Sequence, residues 1–377
     1  MKKVLVPKVR FKGFSEEWSE EKLEYIAKVT NGKSNTSDNN KWGQYNLYIR
    51  SEEIYKSNKY IFDVEGVITV GDGNIGKIFH YVNGKFDLHQ RCYLIYEFQN
   101  IWPKYFYYYF SQNFYKRAIL MSYTATVNSI RMNTITDMDI MFPKELIEQQ
   151  KIGKLLDQIS NLINLENSKL NKLKQLKETL LQKMFPEGNS KTPRIRFKGF
   201  DEEWKEEKLD DIFKVITGGE PPKNYKNSKH PVGEYKYPIY SNGQEANAIW
   251  GFSDNYSINT EAITISSIGT IGFPVVRKMF FTPIIRLKTL LPYNKNMNIN
   301  FLNLSVSQIN FSFNQAGIPS MNSNQLKDNI ILILRNFSEQ QKIGDFFSKI
   351  DNLISLYHSK LNKLKQIKEA LLQKMFV

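Results

Sequence analysis

Residues 71–76 (Gly-Asp-Gly-Asn-Ile-Gly) have the residue types and spacing of a phosphate-binding loop, and they follow a strand-like run. Such a loop binds a dinucleotide where a helix comes next, because the helix N-terminus supplies the N–H groups that hold the pyrophosphate. Residues 77–82 (Lys-Ile-Phe-His-Tyr-Val) are instead typical of a strand. We therefore predict a hairpin loop with unusual backbone torsions at Gly76, and the same at Gly272 in the equivalent run 267–272. Both loops are polar, and either a plain hairpin or part of a binding surface fits them.

Residues for covalent or metal-assisted catalysis form no recognisable motif. The four histidines, His80, His89, His230 and His358, lack metal-ligand spacing with the single cysteine, Cys92. We predict no catalytic residues and no metal ligands in this chain.

Amide, hydroxyl and basic side chains on predicted loops have the chemistry that reads base edges in the major groove of DNA. In the first half of the chain the candidate DNA contacts are Lys33, Asn35, Arg50, Asn74, Lys77, Arg91, Thr124, Asn128 and Arg131. In the second half they are Lys223, Tyr225, Lys226, Asn227, Ser241, Asn242, Gln244, Ser267, Thr270, Asn314 and Gln315. Taken singly, each has an ordinary solvated surface residue as its alternative.

The overall charge points to a polyanionic partner. The 377 residues carry a net charge of +14 and a pI near 9.4, which nucleic acid explains most simply, although a basic protein at a membrane surface shares this balance. One cysteine excludes an internal disulfide and fits a reducing compartment. No apolar run is long enough to cross a bilayer. We predict a cytoplasmic protein without membrane contact.

Short runs rich in Val, Ile, Tyr and Phe predict strands in both halves of the chain. They lie at 45–49, 66–70, 77–82 and 91–96, and at 262–266, 275–281 and 283–288. Helices are predicted at 101–114, where Pro103 suits the first turn, and at 301–311. Within the first helix, Tyr105, Tyr107, Tyr108 and Tyr109 fit either the core or stacking on bases.

An internal repeat decides the architecture. Residues 10–18 (Arg-Phe-Lys-Gly-Phe-Ser-Glu-Glu-Trp) return at 196–204 with one change, and the leucine-rich stretch 148–185 returns at 339–376. Both leucine-rich stretches open with Glu-Gln-Gln-Lys-Ile-Gly and close with Leu-Leu-Gln-Lys-Met-Phe. Each half is therefore an entry segment, a variable globular region and a long helix, and residues 186–193 are the predicted linker. Because the globular regions differ almost everywhere, we expect them to bind two unlike versions of one kind of ligand.

The two long helices carry apolar residues at heptad spacing, which is typical of a coiled-coil seam. The predicted seam residues are Ile152, Leu156, Ile159, Ile163, Leu170, Leu173, Leu180, Ile343, Phe347, Ile350, Ile354, Leu361, Leu364 and Leu371. The pattern skips a position at Glu166 and again at Lys177. We predict that the two helices pair with each other in antiparallel fashion.

Lysines are numerous in both helices, with seven lysines and three acidic residues in each of 151–184 and 342–375. A solvated helix face explains them. The alternative is a polyanion lying along the helices, where lysines contact phosphates without reading sequence. The residues for that alternative are Lys169, Lys172, Lys174, Lys360, Lys363 and Lys365.

Together, these repeated motifs resemble the specificity subunit of type I restriction-modification systems. The resemblance rests on the Arg-Phe-x-Gly-Phe-x-x-x-Trp entry motifs and on the two helix signatures, and it covers essentially the whole chain. It implies a mixed α/β (α+β) fold with two target-recognition domains in a pseudo-two-fold arrangement, separated by an antiparallel coiled coil of two long helices. The implied boundaries are 1–147 and 187–338 for the recognition domains, the second including the linker, and 148–186 and 339–377 for the spacer helices.

The resemblance also implies a function. Each recognition domain would read one half of a bipartite, asymmetric site in double-stranded DNA, and the helices would set the unread spacer. The subunit would be non-catalytic and would bind two methylation subunits and, in the full complex, two restriction subunits. S-adenosylmethionine, ATP and Mg would belong to those partners, so no cofactor is expected on this chain.

Two other functions fit parts of the sequence. A stand-alone nuclease with tandem DNA-binding domains would need a metal site of carboxylates and lysine, and a cleavage assay with magnesium or manganese would reveal it. A coiled-coil adaptor that binds only protein would fail to bind duplex DNA even with methylation subunits present.

Overall fold

The computed structural model describes residues 5–124, 128–188, 190–243, 248–315 and 317–376, with the side chains of 123 and 124 excepted. The chain forms two compact units. The first unit is Met1–Ser168 with Ser359–Val377, and the second unit is Lys169–His358. Each combines helices with antiparallel-rich sheets, which confirms the predicted mixed α/β class. This division is based on contacts and splits each long helix between the units. The predicted boundaries treat each long helix as a separate segment, and they stay a prediction.

The first unit is built on a six-stranded sheet in the order β2-β7-β5-β6-β3-β4. Two smaller antiparallel pairs, β1 with β10 and β8 with β9, accompany it. Its elements are β1 Ser19–Lys22, α1 Leu23–Ile26, β2 Lys28–Asn31, a 3₁₀ turn Thr36–Asp38, β3 Tyr45–Tyr48, β4 Ile54–Ser57, β5 Phe62–Val70, β6 Phe79–Leu88, β7 Cys92–Tyr96, α2 Pro103–Leu120, β8 Tyr123–Thr124, β9 Asn128–Ser129, α3 Met132–Thr136, β10 Asp139–Phe142 and the start of α4 Leu146–Met184.

The second unit has two four-stranded sheets, β12-β19-β16-β17 and β13-β15-β14-β18, and the antiparallel pair β11 with β20. Its elements are the end of α4, β11 Lys205–Lys208, α5 Leu209–Ile212, β12 Phe213–Thr217, β13 Tyr225–Lys226, β14 Tyr237–Tyr240, β15 Ile249–Ser253, β16 Ala262–Ile265, β17 Pro274–Arg277, β18 Thr282–Pro283, β19 Lys288–Pro292, α6 Ile299–Ser307, α7 Ser323–Lys327, β20 Ile330–Ile333 and most of α8 Phe337–Met375. The last turns of α8 belong to the first unit.

Most predicted strands are present, and one is wrong. The prediction at 283–288 fails because Ile285 and Arg286 adopt positive φ angles of 51° and 59°, which no strand accommodates. Strand β18 therefore ends at Pro283, and β19 begins only at Lys288. The predicted helix 301–311 is shorter, since α6 ends at Ser307.

The glycine-rich run 71–76 is a hairpin connection, as predicted. Strands β5 and β6 on either side of it pair antiparallel, and no helix follows, so the loop lacks the geometry of a dinucleotide site. Gly76 has a φ of 67°, and a Cβ there would lie 2.8 Å from the Cα of Tyr115. Gly272 has a φ of 85° in the equivalent loop. Both predictions of unusual torsions are confirmed.

Helix α2 supplies the core of the first unit. Pro103 occupies its first turn, where a missing N–H costs nothing. Tyr105, Phe106 and Phe110 are fully buried, and the Tyr105 hydroxyl donates to the carbonyl of Met141 at 2.8 Å. Burial raises the pKa of Tyr105 well above its ordinary value. Tyr108 and Tyr109 are also buried. Tyr105, Tyr108 and Tyr109 therefore pack in the core, and the base-stacking alternative is wrong for these three tyrosines.

The entry motifs are anchored on the first turns of the long helices. Arg10 donates from Nε and Nη2 to the two carboxylate oxygens of Glu148, at 2.6 and 2.8 Å. Arg196 and Glu339 repeat this pairing at 2.7 and 2.8 Å in the second unit. Both glutamates are buried, so each pair is a bidentate ion pair largely removed from water.

The next residue of each helix signature holds the start of a core helix. The side chain of Gln149 accepts from the N–H of Trp102 at 2.6 Å and donates to the carbonyl of Pro143 at 2.8 Å. Gln340 does the same in the second unit, accepting from the N–H of Asn298 at 2.9 Å and donating to the carbonyl of Leu334 at 2.6 Å. These buried amides satisfy backbone groups that the helix ends leave open.

Within each unit the long helices pack in opposite directions. In the first unit, Ile152 and Leu156 near the start of α4 share a core with Met375 at the end of α8. In the second unit, Met184 at the end of α4 shares a core with Ile343 near the start of α8. All fourteen predicted seam residues are buried or half-buried. The coiled-coil geometry itself stays a prediction.

The two skipped seam positions carry ion pairs. Glu166 accepts from Nζ of Lys360 at 3.0 Å in the first unit. Lys177 pairs with Asp351 in the second unit. A charged residue within an apolar seam fixes register at some cost in stability.

Candidate nucleic-acid interface

Loops from separate parts of the first unit meet where β5 ends and β7 begins in the six-stranded sheet. This place is called the loop edge of the sheet. The N–H of Gly73 donates to the carbonyl of Asn128 at 2.9 Å, and the N–H of Ile130 donates to Gly71 at 2.9 Å. The N–H of Gly71 in turn donates to the carbonyl of Arg91 at 2.8 Å. The loop 71–76, the turn before β7 and the segment around β9 are thus one hydrogen-bonded surface.

Buried carboxylates organise this edge. Asp72 is 7% exposed, and both its oxygens lie 3.2 Å from Nη1 of Arg50. Nη1 of Arg91 lies 3.7 Å from the same carboxylate. Both arginines remain exposed residues, and Asp72 is near only Nη1 of each guanidinium, which has further N–H donors.

A second carboxylate, that of Asp87, holds the neighbouring loop that contains Ser34. It is fully buried and accepts from the hydroxyls of Ser34 and Ser57 at 2.6 and 2.8 Å, and from the N–H of Leu88 at 2.9 Å. Three donors stabilise its charge inside the protein. The loop that carries Lys33 and Asn35 is therefore fixed to the sheet.

His89 lies beneath the arginines and is buried. Its Nδ1 accepts from the N–H of Arg91 at 3.0 Å. Burial lowers the pKa of His89, and the positive charge of Arg50 lowers it further. A neutral imidazole at this place adds no positive charge beside Arg50 and Arg91.

The structure brings most predicted contacts of the first unit onto this edge. Eight of them are exposed and lie on the converging loops or on β9 and its end: Lys33, Asn35, Arg50, Asn74, Lys77, Arg91, Asn128 and Arg131. The Nε2 of Gln90 donates to Asn35 at 2.6 Å, a neighbour that the sequence did not single out. The side chain of Thr124 lies outside the described residues.

The second unit repeats the loop junction with different side chains. The N–H of Gly269 donates to the carbonyl of Pro319 at 2.9 Å, and the N–H of Met321 donates to Ser267 at 2.9 Å. These bonds match those of Gly73 and Ile130 in the first unit. Thr270 is half-buried in this loop, and Asn314 and Gln315 are exposed beyond α6.

Two predicted contacts of the second unit, the buried Ser267 and the half-buried Asn242, form hydrogen bonds within the protein. The hydroxyl of Ser267, which is buried, donates to the carbonyl of Arg286 at 2.7 Å, and its N–H donates to Oδ1 of Asn242 at 2.8 Å. Asn242 also donates from Nδ2 to the carbonyl of Ile285 at 2.5 Å. Both residues hold the loop in place, and the hydroxyl of Ser267 is engaged by a backbone carbonyl.

The remaining predicted contacts belong to the other sheet. Lys223, Tyr225, Lys226 and Asn227 are exposed on and around the edge strand β13. The ring of Tyr225 packs on Trp250 with centroids 4.7 Å apart. Ser241 is half-buried at the end of β14, and Gln244 lies outside the described residues. The candidates of the second unit are therefore spread over two sheets.

Sequence reasoning missed two basic residues in the second unit. Nζ of Lys288, which is buried at the start of β19, donates to the hydroxyls of Thr217 and Ser323 at 3.0 and 2.9 Å. Burial lowers the pKa of Lys288, and the nearby charge of Arg286 lowers it further. The alternation Arg-Leu-Lys at 286–288 carries the signal, but the composition of 283–288 predicts a single strand.

In the part of the chain that the structure describes, no group of three or more His, Cys, Asp or Glu side chains is placed to hold a metal ion. Likewise, none of the described helices is long and apolar enough to cross a membrane.

Comparison with known proteins places the chain in a family. The model of the type I restriction modification DNA specificity domain matches twice, at residues 15–175 and 201–366. A type I specificity subunit of Mycoplasma pneumoniae is 27% identical over 340 residues, covering 86% of each chain. The EcoDI specificity subunit of Escherichia coli is 28% identical over 162 residues, which are 42% of this chain and 35% of that protein.

Solved structures show the same fold. The S subunit of a type I restriction-modification system from Mycoplasma genitalium superposes with a TM-score of 0.75 and 17% identity, covering 99% of both chains. A chain from a structural study of type I complex assembly has a TM-score of 0.52 and 14% identity, covering 98% of this chain and 99% of that one. This chain therefore belongs to the family of type I restriction-modification DNA specificity proteins.

Proposed function

We propose that the chain reads a bipartite, asymmetric site in double-stranded DNA, one half-site with each unit. The observation that carries this proposal is one anchoring scheme that supports two unlike surfaces. Arg10 with Glu148 and Arg196 with Glu339 repeat the same ion pair. The first unit then presents arginines around Asp72, whereas the second unit has Lys288 and Arg286 near the equivalent loop. Two unlike surfaces on equal scaffolds fit two different words of sequence.

The long helices set the unread spacer in this proposal. Each has 39 residues, which is about 58 Å at 1.5 Å per residue. Lys172, Lys174, Lys363 and Lys365 are exposed on them, and either a solvated face or contact with DNA phosphates accounts for these lysines.

Matched apolar residues on the helices support docking of two identical methylation subunits. Leu162 and Leu165 of α4 are 45% and 50% exposed, and the residues at the same places of the repeat, Leu353 and Leu356 of α8, are 45% and 65% exposed. Residues three apart are neighbours on a helix surface. A pair of exposed leucines that occurs once in each unit fits a partner that binds once to each unit.

The remaining parts of the proposal concern the complex. The chain is non-catalytic and binds no cofactor of its own; S-adenosylmethionine, ATP and Mg belong to the two methylation subunits and to the two restriction subunits of the full complex. The protein acts in the cytoplasm.

A domain exchange tests the proposal. Residues 22–143 are replaced by the corresponding region of another family member, and methylated adenines are mapped in a genome that carries the complete system. One half of the methylated motif should change and the other half should stay the same. A change in both halves would contradict the proposal. As a second arm, lengthening both helices should lengthen the unread spacer and leave both half-sites unaltered.

A further inference from the structure

A cavity of about 350 Å³ in the second unit is lined by two basic side chains and several hydroxyl groups. It lies where the end of β12, the loop after β16, the turn before β19 and the segment before α7 meet. Its lining includes Thr217, Ser267, Arg286, Lys288, Ser320 and Ser323. None of these six side chains is acidic, and two of them, Arg286 and Lys288, are basic.

Lys288 is buried without an anionic partner in the described part of the chain. Only 4% of the residue is exposed, and its ammonium group donates to the hydroxyls of Thr217 and Ser323. The described ion pairs include none with Lys288 or Arg286. A buried ammonium group is costly unless a counter-charge neutralises it. The cavity beside it has room for such a counter-charge.

Arg286 is presented by a strained turn. Ile285 and Arg286 both lie in the left-handed region of φ, which residues other than glycine rarely adopt. The N–H of Arg286 donates to the carbonyl of Gly218 at 2.9 Å, and the N–H of Ile285 donates to Gly219 at 2.9 Å. Strained backbone held by surrounding bonds is concentrated at ligand sites. The guanidinium is exposed at the mouth of the cavity.

In the described part of the first unit, the buried lysine of this cavity has no counterpart. By strand register, Tyr93 of β7 takes the place of Lys288: it faces Asn31 of β2 and Thr69 of β5 as Lys288 faces Thr217 of β12 and Ile265 of β16. Tyr93 is buried, and its hydroxyl donates to the carbonyl of Ile130 at 3.2 Å. The nearby carboxylate of Asp72 takes up the arginines there. Charge at equivalent places is thus neutralised in the first unit and open in the second.

We propose that this cavity binds a phosphoryl group through the ammonium of Lys288, the guanidinium of Arg286 and the hydroxyls of Ser320 and Ser323. The proposal rests on the proposed function, in which the phosphate belongs to the DNA backbone beside the half-site of the second unit. A free phosphate ion offers the same chemistry. Phosphate contacts of this kind position a protein on DNA and add affinity without reading sequence.

The test measures binding of the complete complex with methylation subunits to its cognate duplex over a range of salt concentrations. Lys288→Met should weaken binding roughly tenfold or more, as loss of a charge-assisted contact does, and should lower the salt slope by about 0.9. Lys214→Met is the matched control, since it removes the same charge from an exposed position of β12. Arg286→Gln, at an exposed residue, gives a second variant that does not disturb the buried hydrogen bonds.

Duplexes with a single uncharged methylphosphonate at each backbone position identify the contact. In the wild type, one position near the half-site of the second unit should lose affinity; in Lys288→Met and Arg286→Gln, that position should have no further effect. Inorganic phosphate tests the other source, by a rise in melting temperature of the wild type that Arg286→Gln abolishes. If neither arm shows coupling to these two residues, the phosphate site is disproved. If the wild-type complex binds no duplex with sequence preference, the proposed function has failed instead.

Discussion

Arg10 and Glu148 are 138 residues apart and form a bidentate ion pair with distances of 2.6 and 2.8 Å. The glutamate is 1% exposed, and the hydrogen bond to Glu148 raises the pKa of Arg10. The same pair, Arg196 with Glu339, is present in the second unit. Lys151 over the ring of Phe14, with Nζ 4.9 Å from the centroid, adds a second contact between entry motif and helix. The two motifs that repeat in the sequence are thus two sides of one joint.

Arg10→Ala is expected to destabilise the first unit by about 3–5 kcal/mol, because it leaves a buried carboxylate without its partner. Arg10→Met with Glu148→Met should be much closer to the wild type, since both charges are removed together. Unfolding followed by hydrogen exchange, resolved by unit, measures the effect. Arg196→Ala is the matched control and should act on the second unit. Equal losses in both units from Arg10→Ala alone would show that the joint is not local.

The Arg10–Glu148 contact illustrates which features can be predicted from the sequence and which cannot. The repeats predicted the two long helices and their apolar seam, because periodicity over many turns depends on local pattern alone. The role of the repeated Arg, Glu and Gln did not follow, since it depends on which distant residue each one meets. The aromatic run in α2 was ambiguous for the same reason, and only the burial of Tyr105 decides between core and ligand.

Arg50→Gln and Arg91→Gln are expected to relax sequence preference in the half-site of the first unit. Arginine N–H groups recognise guanine edges in the major groove, and a good bidentate contact contributes about 1–3 kcal/mol of discrimination. Mapping of the methylated motif measures the change. Lys28→Gln is a matched control, because Lys28 is exposed and pairs with Glu97 away from this edge. An unaltered motif in both arginine variants would remove them from the predicted base contacts.

The sequence predicted the candidate contacts of the first unit better than those of the second unit. In the first unit, loops separated by up to about a hundred residues converge on one edge, so residues chosen for loop placement alone lie together. In the second unit Ser267 is buried. The charged cavity does not follow from the sequence, because a left-handed turn at Ile285 interrupts a strand-like run. A turn without glycine, proline or asparagine leaves little trace in composition.

Replacing Leu162 and Leu165 with lysine is expected to remove one methylation subunit from the complex, and replacing Leu353 and Leu356 should remove the other. Exposed leucines contribute to an interface by burial of apolar area, and a charge there prevents that burial. Native mass spectrometry measures the stoichiometry. Leu120→Lys is the control, since Leu120 is an exposed leucine on α2. Retention of two methylation subunits by both double variants would locate docking elsewhere.

Acidification should destabilise the first unit through the half-buried His80 and the buried His89. Burial lowers the pKa of His80 and of His89, and Arg50 lowers that of His89 further. The folded state is therefore more stable when each imidazole is neutral than when it is protonated. This contribution is complete above the ordinary pKa of about 6.5 and is lost as the pH falls below it toward the folded-state value. His89 faces Arg50, Asp72 and Arg91, so protonation adds a charge beside two arginines and one carboxylate.

Hydrogen exchange of β6 and β7 between neutral pH and about pH 5.5 measures this effect against the intrinsic pH dependence of exchange. The protection factors should fall in the wild type. His89→Gln is expected to reduce the fall, because the glutamine carbonyl can accept the N–H of Arg91 that Nδ1 of His89 accepts now and cannot be protonated in this range. His230→Gln, at an exposed residue of the second unit, should change nothing. Equal acid sensitivity in the wild type and in His89→Gln would assign the effect to other groups.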